Sequence, residues 1–271
     1  MKRLVPFLLL AAAAPAACQS APQATPAPTP SVADSPAEAP VPVFTARVVA
    51  RFPHDPAAFT EGLIWHGGAL YESIGLEGRS EVRRVSLTDG KVTARVRIPA
   101  SEFGEGLAAW HDELVSLTWH GGVAHRWNAR TLQAKGTGRF VGEGWGLTTD
   151  ATGFIQSDGT PTLRFLDPAT LAVRRMVAVT LRGQPVRDIN ELEMVDGAIL
   201  ANVWHTPYLL RIYPARGRTT AVIDLRPVVA QVQVSDPEAV ANGIAWDAAN
   251  RRLFVTGKLW PTLFEIALDP S

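Results

Sequence analysis

Cysteine is almost absent from this chain of 271 residues; the single one, Cys18, lies near the start. Everything downstream must therefore hold together without disulfides and without cysteine metal ligands. Charge imbalance is also absent, since Lys+Arg and Asp+Glu number 26 each. That balance argues against a nucleic-acid surface or a polybasic membrane patch. No stretch of ten or more residues sustains an apolar period of 3.6, so helix content should be low. The six histidines are His54, His66, His111, His120, His125 and His205. They show neither HExxH spacing nor a three-histidine cluster, which argues against a catalytic zinc. A GxSxG elbow and a phosphate-binding loop are missing as well. These absences leave no metal and no cofactor to assign, although an ion held by backbone carbonyls stays open.

What is present begins with a leader. Lys2 and Arg3 precede an apolar run from Leu4 to Ala14, too short to span a bilayer as a mature helix. Ala16-Ala17-Cys18 then resembles the lipidation site of a bacterial lipoprotein, with Cys18 as the acylated residue. Pro15 stands where that pattern usually has an aliphatic residue, so export with plain cleavage nearby is the alternative. Residues 19–42 are rich in Ala, Pro, Ser and Thr and read as an extended tether. The expectation is an exported, periplasmic, membrane-anchored monomer with a leader at 1–18, a tether at 19–42 and one folded domain at 43–271. Contact with a membrane would run only through the lipid.

From Val43 onward, short apolar runs alternate with turns such as His66-Gly67-Gly68 and Thr88-Asp89-Gly90. These read as strands of four to eight residues joined by hairpins. The pattern then repeats. Phe59-Thr-Glu-Gly-Leu63 is echoed by Phe103-Gly-Glu-Gly-Leu107. With Leu63, Leu107, Leu147, Leu192 and Ile244 as markers, the steps are 44, 40, 45 and 52 residues. A period of about 40–50 residues with four strands per unit is the signature of a β-propeller, here with five blades. The last unit is one strand short, and the segment Ala46 to Phe52 precedes the first marker. Pairing the two would close the ring. A β-sandwich, the main alternative, would not predict the internal echo.

Equivalent positions of the innermost strands converge on the central channel. Two residues before the markers stand Glu61, Glu105, Trp145, Asn190 and Asn242. None is aliphatic. A second register, at the end of the next strand, holds Gly75, Trp119, Gly159, Trp204 and Lys258. Together they predict one face with carboxylates, amides, indoles and an ammonium, with glycines leaving space between them. That composition suits a small-ligand pocket. Blander readings stand beside it. Polar residues often merely line a propeller channel, Trp119 and Trp204 could pack between blades, and Lys258 could be solvated. Convergence of the two registers favours a site. Glu105, between Gly104 and Gly106 and near aromatic rings, should be partly desolvated. Its pKa should therefore rise, which suits proton transfer.

The motif set also resembles a family. Phe59-Thr-Glu-Gly-Leu63, Tyr71-Glu-Ser-Ile-Gly-Leu-Glu-Gly-Arg-Ser80, Phe103-Gly-Glu-Gly-Leu107, Thr118-Trp119, Gly144-Trp-Gly-Leu147, Ser157-Asp-Gly159, Asn190-Glu-Leu-Glu193 and Thr256-Gly-Lys258 occur in order. They are similar to the plant and bacterial glutaminyl-peptide cyclotransferases, five-bladed propellers. The resemblance implies cyclisation of N-terminal glutamine to pyroglutamate with release of ammonia. Peptides or proteins beginning with Gln would be the partners. It implies Glu105 as acid/base, with Asn190 and Lys258 as polar active-site groups. Trp119, Trp145 and Trp204 would be aromatic walls, and Phe59 and Phe103 flanking rings. Glu61 departs from the family's usual glutamine, which could alter the pH profile or help bind the substrate ammonium. A non-catalytic peptide-binding propeller and a metal-dependent propeller hydrolase or lactonase are the competing readings.

Overall fold

The computed structural model describes residues 40–270. The leader, Cys18 and most of the tether lie outside the described residues. Packing begins slightly before the expected boundary at residue 43. Val41 is already buried, and the carbonyl of Pro42 accepts the N–H of Val222 at 3.0 Å.

Twenty-two strands and one short helix account for the regular structure of the described residues. Strand β1 (Val43–Pro53) is followed by four-stranded meanders. Blade 1 is β2 (Thr60–His66), β3 (Ala69–Ile74), β4 (Glu81–Val85) and β5 (Val92–Arg97). Blade 2 is β6 (Gly104–Trp110), β7 (Glu113–Thr118), β8 (Val123–Asn128) and β9 (Ala134–Arg139). Blade 3 is β10 (Leu147–Asp150), β11 (Gly153–Gln156), β12 (Thr162–Leu166) and β13 (Val173–Ala178). A small hairpin, β14 (Thr180–Leu181) and β15 (Gln184–Pro185), leads to blade 4. That blade is β16 (Ile189–Val195), β17 (Ala198–Val203), β18 (Tyr208–Ile212) and β19 (Thr219–Asp224). After helix α1 (Arg226–Val229) come β20 (Ala241–Asp247), β21 (Arg252–Gly257) and β22 (Thr262–Pro270). No helix among the described residues is long and apolar enough to cross a membrane.

The last blade is completed from the other end of the chain. β1 pairs antiparallel with β22 from Phe44↔Pro270 to Pro53↔Thr262. It also pairs in parallel with β19, Val43↔Val222 to Thr45↔Asp224. The predicted closure is therefore present, and β1 additionally welds blades 4 and 5 into one eight-stranded sheet. Each innermost strand packs on the next, and β20 packs on β2, so the five form a closed ring.

The apolar core is distributed between the blades. Five buried clusters lie one at each junction, for example Ile64, Tyr71, Val82, Leu107 and Leu114 between blades 1 and 2. Alternation along each strand produces this, because both faces of a blade meet a neighbouring blade. The markers Leu63, Leu107, Leu147, Leu192 and Ile244 are all buried in these junctions.

Candidate active site

Backbone irregularity places the functional side chains. In β2, β6, β16 and β20 the pairing register shifts just before the marker: between Thr60 and Gly62, Gly104 and Leu107, Ile189 and Leu192, and Ala241 and Ile244. Each shift sets one more residue on the inner strand than on its partner. Such a bulge re-aims a side chain. Here it serves Glu61, Glu105, Asn190 and Asn242. In blade 3 the equivalent Trp145 precedes β10, fixed by Trp145 N–H to Ser157 O at 3.2 Å.

Glycine follows Glu61, Glu105, Trp145 and Asn242, and at Gly62 and Gly106 the geometry requires it. A Cβ on Gly62 would stand 2.5 Å from Leu107 N, and one on Gly106 would stand 2.6 Å from both Trp145 O and Leu147 N. The inner strands approach too closely for any side chain there. In the second register, the space beside Gly75 and Gly159 is occupied by protein rather than open to ligand. The Phe103 ring fills the first, and the Trp145 ring lies 2.7 Å from a Cβ on the second.

A cavity of about 310 Å³ results. Its lining includes every residue expected for the site: Phe59, Glu61, Phe103, Glu105, Trp119, Trp145, Asn190, Trp204 and Lys258. Leu76 and Glu238 join them. Asn242 sits just behind, its amide N–H groups donating to Thr60 O at 2.9 Å and Glu61 Oε2 at 3.1 Å. The tryptophans of the second register thus face the cavity rather than a blade junction.

The two carboxylates have different surroundings. Glu61 is paired: Lys258 Nζ donates to its Oε1 at 2.7 Å. Lys258 also lies over the Phe59 ring, 4.5 Å from its centroid. Burial pushes Glu61 up to about 7, while the Lys258 ammonium pulls in the opposite direction. Glu105 is also buried, but no protein group among the described residues hydrogen-bonds to its carboxyl. Burial raises its pKa well above the usual carboxylate value, and the nearby charges of Glu61 and Glu143 add to the rise against Lys258. Of these two buried acids, one is thus paired with an ammonium and the other is free and proton-prone.

The aromatic wall is continuous on either side of a gap. Phe59 meets Phe103 edge-on at 6.1 Å, and Phe103 meets Trp119 at 5.6 Å. Trp145 meets Trp204 edge-on at 5.8 Å. Two buried polar atoms of the wall have no partner: the side-chain amide oxygen of Asn190 and the indole nitrogen of Trp204. An unpaired buried polar atom costs free energy, and both residues line the cavity. No group of three or more His, Cys, Asp or Glu among the described residues is placed to hold a metal.

Sequence reasoning missed Glu143 and Glu238. Glu143 lies four residues before its marker, in register with Phe59 and Phe103, so the repeat alignment could have found it. Glu238 lies in the longer connection between β19 and β20 and matches no register. The buried network under the site was missed too. Glu72 accepts from His54 Nε2 at 2.9 Å, Thr60 Oγ at 2.6 Å and Arg83 Nε at 2.8 Å. Through His54, which also bonds Trp260 O at 2.6 Å, it ties the loop after Lys258 to the strand that carries Glu61.

Known proteins match this chain along most of its length. A family model described as Glutamine cyclotransferase matches residues 10–268. A glutaminyl-peptide cyclotransferase of Arabidopsis thaliana is 41% identical over 228 residues, covering 83% of this chain and 71% of the relative. The crystal structure of Myxococcus xanthus glutaminyl cyclase superposes with a TM-score of 0.82 at 41% identity, covering 85% of this chain and 99% of that one. Motifs, blade count and these matches agree, and the chain belongs to the glutamine cyclotransferase family.

Proposed function

We propose that this protein is a glutaminyl-peptide cyclotransferase, an aminoacyltransferase that converts N-terminal glutamine to pyroglutamate with Glu105 as its proton carrier. The observation that carries the reading is a buried carboxyl without a protein partner, facing an aromatic pocket large enough for one glutaminyl residue.

The nucleophile belongs to the substrate, so the chain needs none of its own. The α-amine attacks the γ-carbonyl carbon, a C–N bond forms and the carbonyl oxygen gains negative charge. Glu105 takes a proton from the attacking nitrogen. It then returns that proton to the γ-nitrogen as the old C–N bond breaks, and ammonia leaves. Proton number balances with a single carboxyl acting first as base and then as acid. The aromatic walls fold the glutamine so that its amine meets its amide, which supplies the proximity term. The side-chain amide of Asn190, which lines the cavity, is a donor for the developing oxyanion or for the substrate's polar backbone. Lys258, already donating to Glu61, keeps two N–H donors for the same task.

Mass spectrometry of a Gln-initiated peptide incubated with the protein tests this, with and without chelator. The reading requires the peptide to lose one ammonia in both. Saturable binding without mass loss would favour a binding propeller, and loss of turnover on chelation would favour a metal-dependent hydrolase. The leader supports a second proposal, acylation of Cys18 and a periplasmic, membrane-tethered location. Cys18→Ser should then release the protein from the membrane fraction.

A further inference from the structure

The aromatic wall has two arms, and one carboxylate joins them. Phe59, Phe103 and Trp119 form the arm on blades 1 and 2, and Trp145 and Trp204 form the arm on blades 3 and 4. No ring contact links Trp119 to Trp145 among the described residues. Instead Glu143 Oε2 accepts the indole N–H of Trp119 at 2.9 Å and that of Trp145 at 2.9 Å. Its other oxygen lies 3.7 Å from Nδ1 of His120, which itself stacks on Trp119 at 4.2 Å.

We propose that Glu143 is a positioning residue for the cyclotransferase reaction: its bridging carboxylate holds Trp119 and Trp145 in the one orientation that closes the pocket around an N-terminal glutamine. The inference rests on the activity proposed above, and three features carry it. First, the backbone of Glu143 is anchored independently of its side chain. Its carbonyl accepts Gln156 Nε2 at 2.7 Å, and the next N–H, Gly144, donates to Trp119 O at 3.1 Å. The carboxylate is therefore aimed by a fixed segment, not by the tryptophans it holds.

Second, Trp119 needs a restraint. It is 38% exposed, whereas most of the core rings are fully buried. Its ring meets Phe103 edge-on and stacks on His120, whose own side chain is largely exposed, so these contacts leave its rotamer to a further restraint. A charge-assisted bond to the indole N–H supplies it. Trp145 is held on its other side by Trp204 and Gly159, so the carboxylate transfers the rigidity of blade 3 to the exposed ring of blade 2.

Third, the clamp sorts the donors. With the Trp119 and Trp145 N–H groups both bound to Glu143, the Trp204 N–H is the one wall indole left to a ligand. A glutamine entering the pocket therefore meets the carbon faces of the two clamped rings rather than their N–H groups.

The test compares Glu143→Ala with Glu143→Gln in the full chain, reading KM and kcat for a Gln-initiated peptide and the near-ultraviolet circular dichroism of the tryptophans. The alanine variant loses both acceptors. Its KM should rise about tenfold or more, with a smaller change in kcat, and its tryptophan band should weaken. The glutamine variant keeps an acceptor oxygen at the same reach, so it should restore most of the band and most of the KM. An alanine variant with wild-type KM and wild-type band overturns the proposal. So does a glutamine variant as impaired as alanine in the band, which would mean that no shared acceptor holds the rings. The band is read without turnover. A wild-type protein that makes no pyroglutamate therefore removes the activity reading, while the spectra still decide what holds Trp119 and Trp145.

Discussion

Replacing Glu105 by glutamine separates the chemistry of this site from its architecture. The change is nearly isosteric. No hydrogen bond among the described residues ends on the Glu105 carboxyl, so none of these is broken. Burial, with the charge of Glu61 beside it, holds the group well above its ordinary value of 4.5. A carboxyl raised on folding contributes stability that is complete below its unfolded pKa and lost as pH rises through its folded one. At neutral pH it is therefore a burden on the fold, and a neutral amide relieves it. Thermal stability of E105Q should be equal to or above that of the wild type. Its rate should collapse, because the proposed mechanism gives both proton transfers to this one carboxyl. General acid–base catalysis of this kind contributes about 10²–10⁴-fold, equivalent to about 3–5 kcal/mol of barrier. The loss should fall on kcat, with KM for a Gln-initiated peptide within about twofold of wild type, since the amide alters no wall contact. Ammonia release and calorimetry measure the two halves. An E105Q protein that keeps kcat within about tenfold, or that melts well below wild type, would refute the assignment.

Three further substitutions probe the surroundings. Glu61→Gln removes the repulsion that helps raise Glu105 while leaving Lys258 an acceptor, so the acid limb of the pH profile of kcat/KM should move to lower pH; an unmoved limb would count against coupling of the two acids. Glu72, buried, is drawn down to about 2 by His54 and Arg83 from its ordinary value of 4.5, worth roughly 3 kcal/mol. That stability is present above about pH 4.5 and lost as pH falls through about 2. Burial alone would lower His54, but Glu72 reverses this and raises it, so its share is present below its unfolded value of 6.5 and fades as pH rises through the folded one. Denaturant titrations across pH should show the acid-side loss in wild type and not in Glu72→Gln. Gly106→Ala would drive a methyl into the backbone of blade 3 and should cost about 1–3 kcal/mol, read as a lowered melting temperature; an unchanged value would mean that the inner strands can separate freely.

The repeat was legible because a propeller converts sequence period into spatial convergence. Counting from Leu63, Leu107, Leu147, Leu192 and Ile244 was enough to gather Glu61, Glu105, Trp145 and Asn190 on one face, and the second register added Trp119, Trp204 and Lys258. Closure by β1 was legible from the missing strand of the last unit. The bulges were not, because an extra residue in one strand of a pair leaves no mark on local composition. Nor was the pairing of Lys258 with Glu61, which joins residues from opposite ends of the domain. The clamp by Glu143 depends on where two indole nitrogens point, and side-chain direction is decided by packing. The His54–Glu72–Arg83 network lies among residues that look like ordinary strand and loop polar groups until the fold removes water from them.

One position explains why Glu105 can be so isolated. The residue before each marker is Gly62, Gly106, Gly146, Glu191 and Gly243. Four glycines draw the inner strands together, and the fifth position sends a side chain across the axis. Glu191, on blade 4, accepts the N–H of Leu63 on blade 1 at 3.4 Å, although those blades are not neighbours in the ring. It stands between Asn190, which lines the active cavity, and Glu193, which lines a separate cavity toward the other end of the same strands. Glu191 is thus the floor of the site. Burial and the charge of Glu193 raise its pKa, which favours the neutral form over another full charge beneath Glu105. Repetition supplied five equivalent places, and departure from it at a single one sets a buried side chain across the axis beneath the carboxyl proposed to carry the proton.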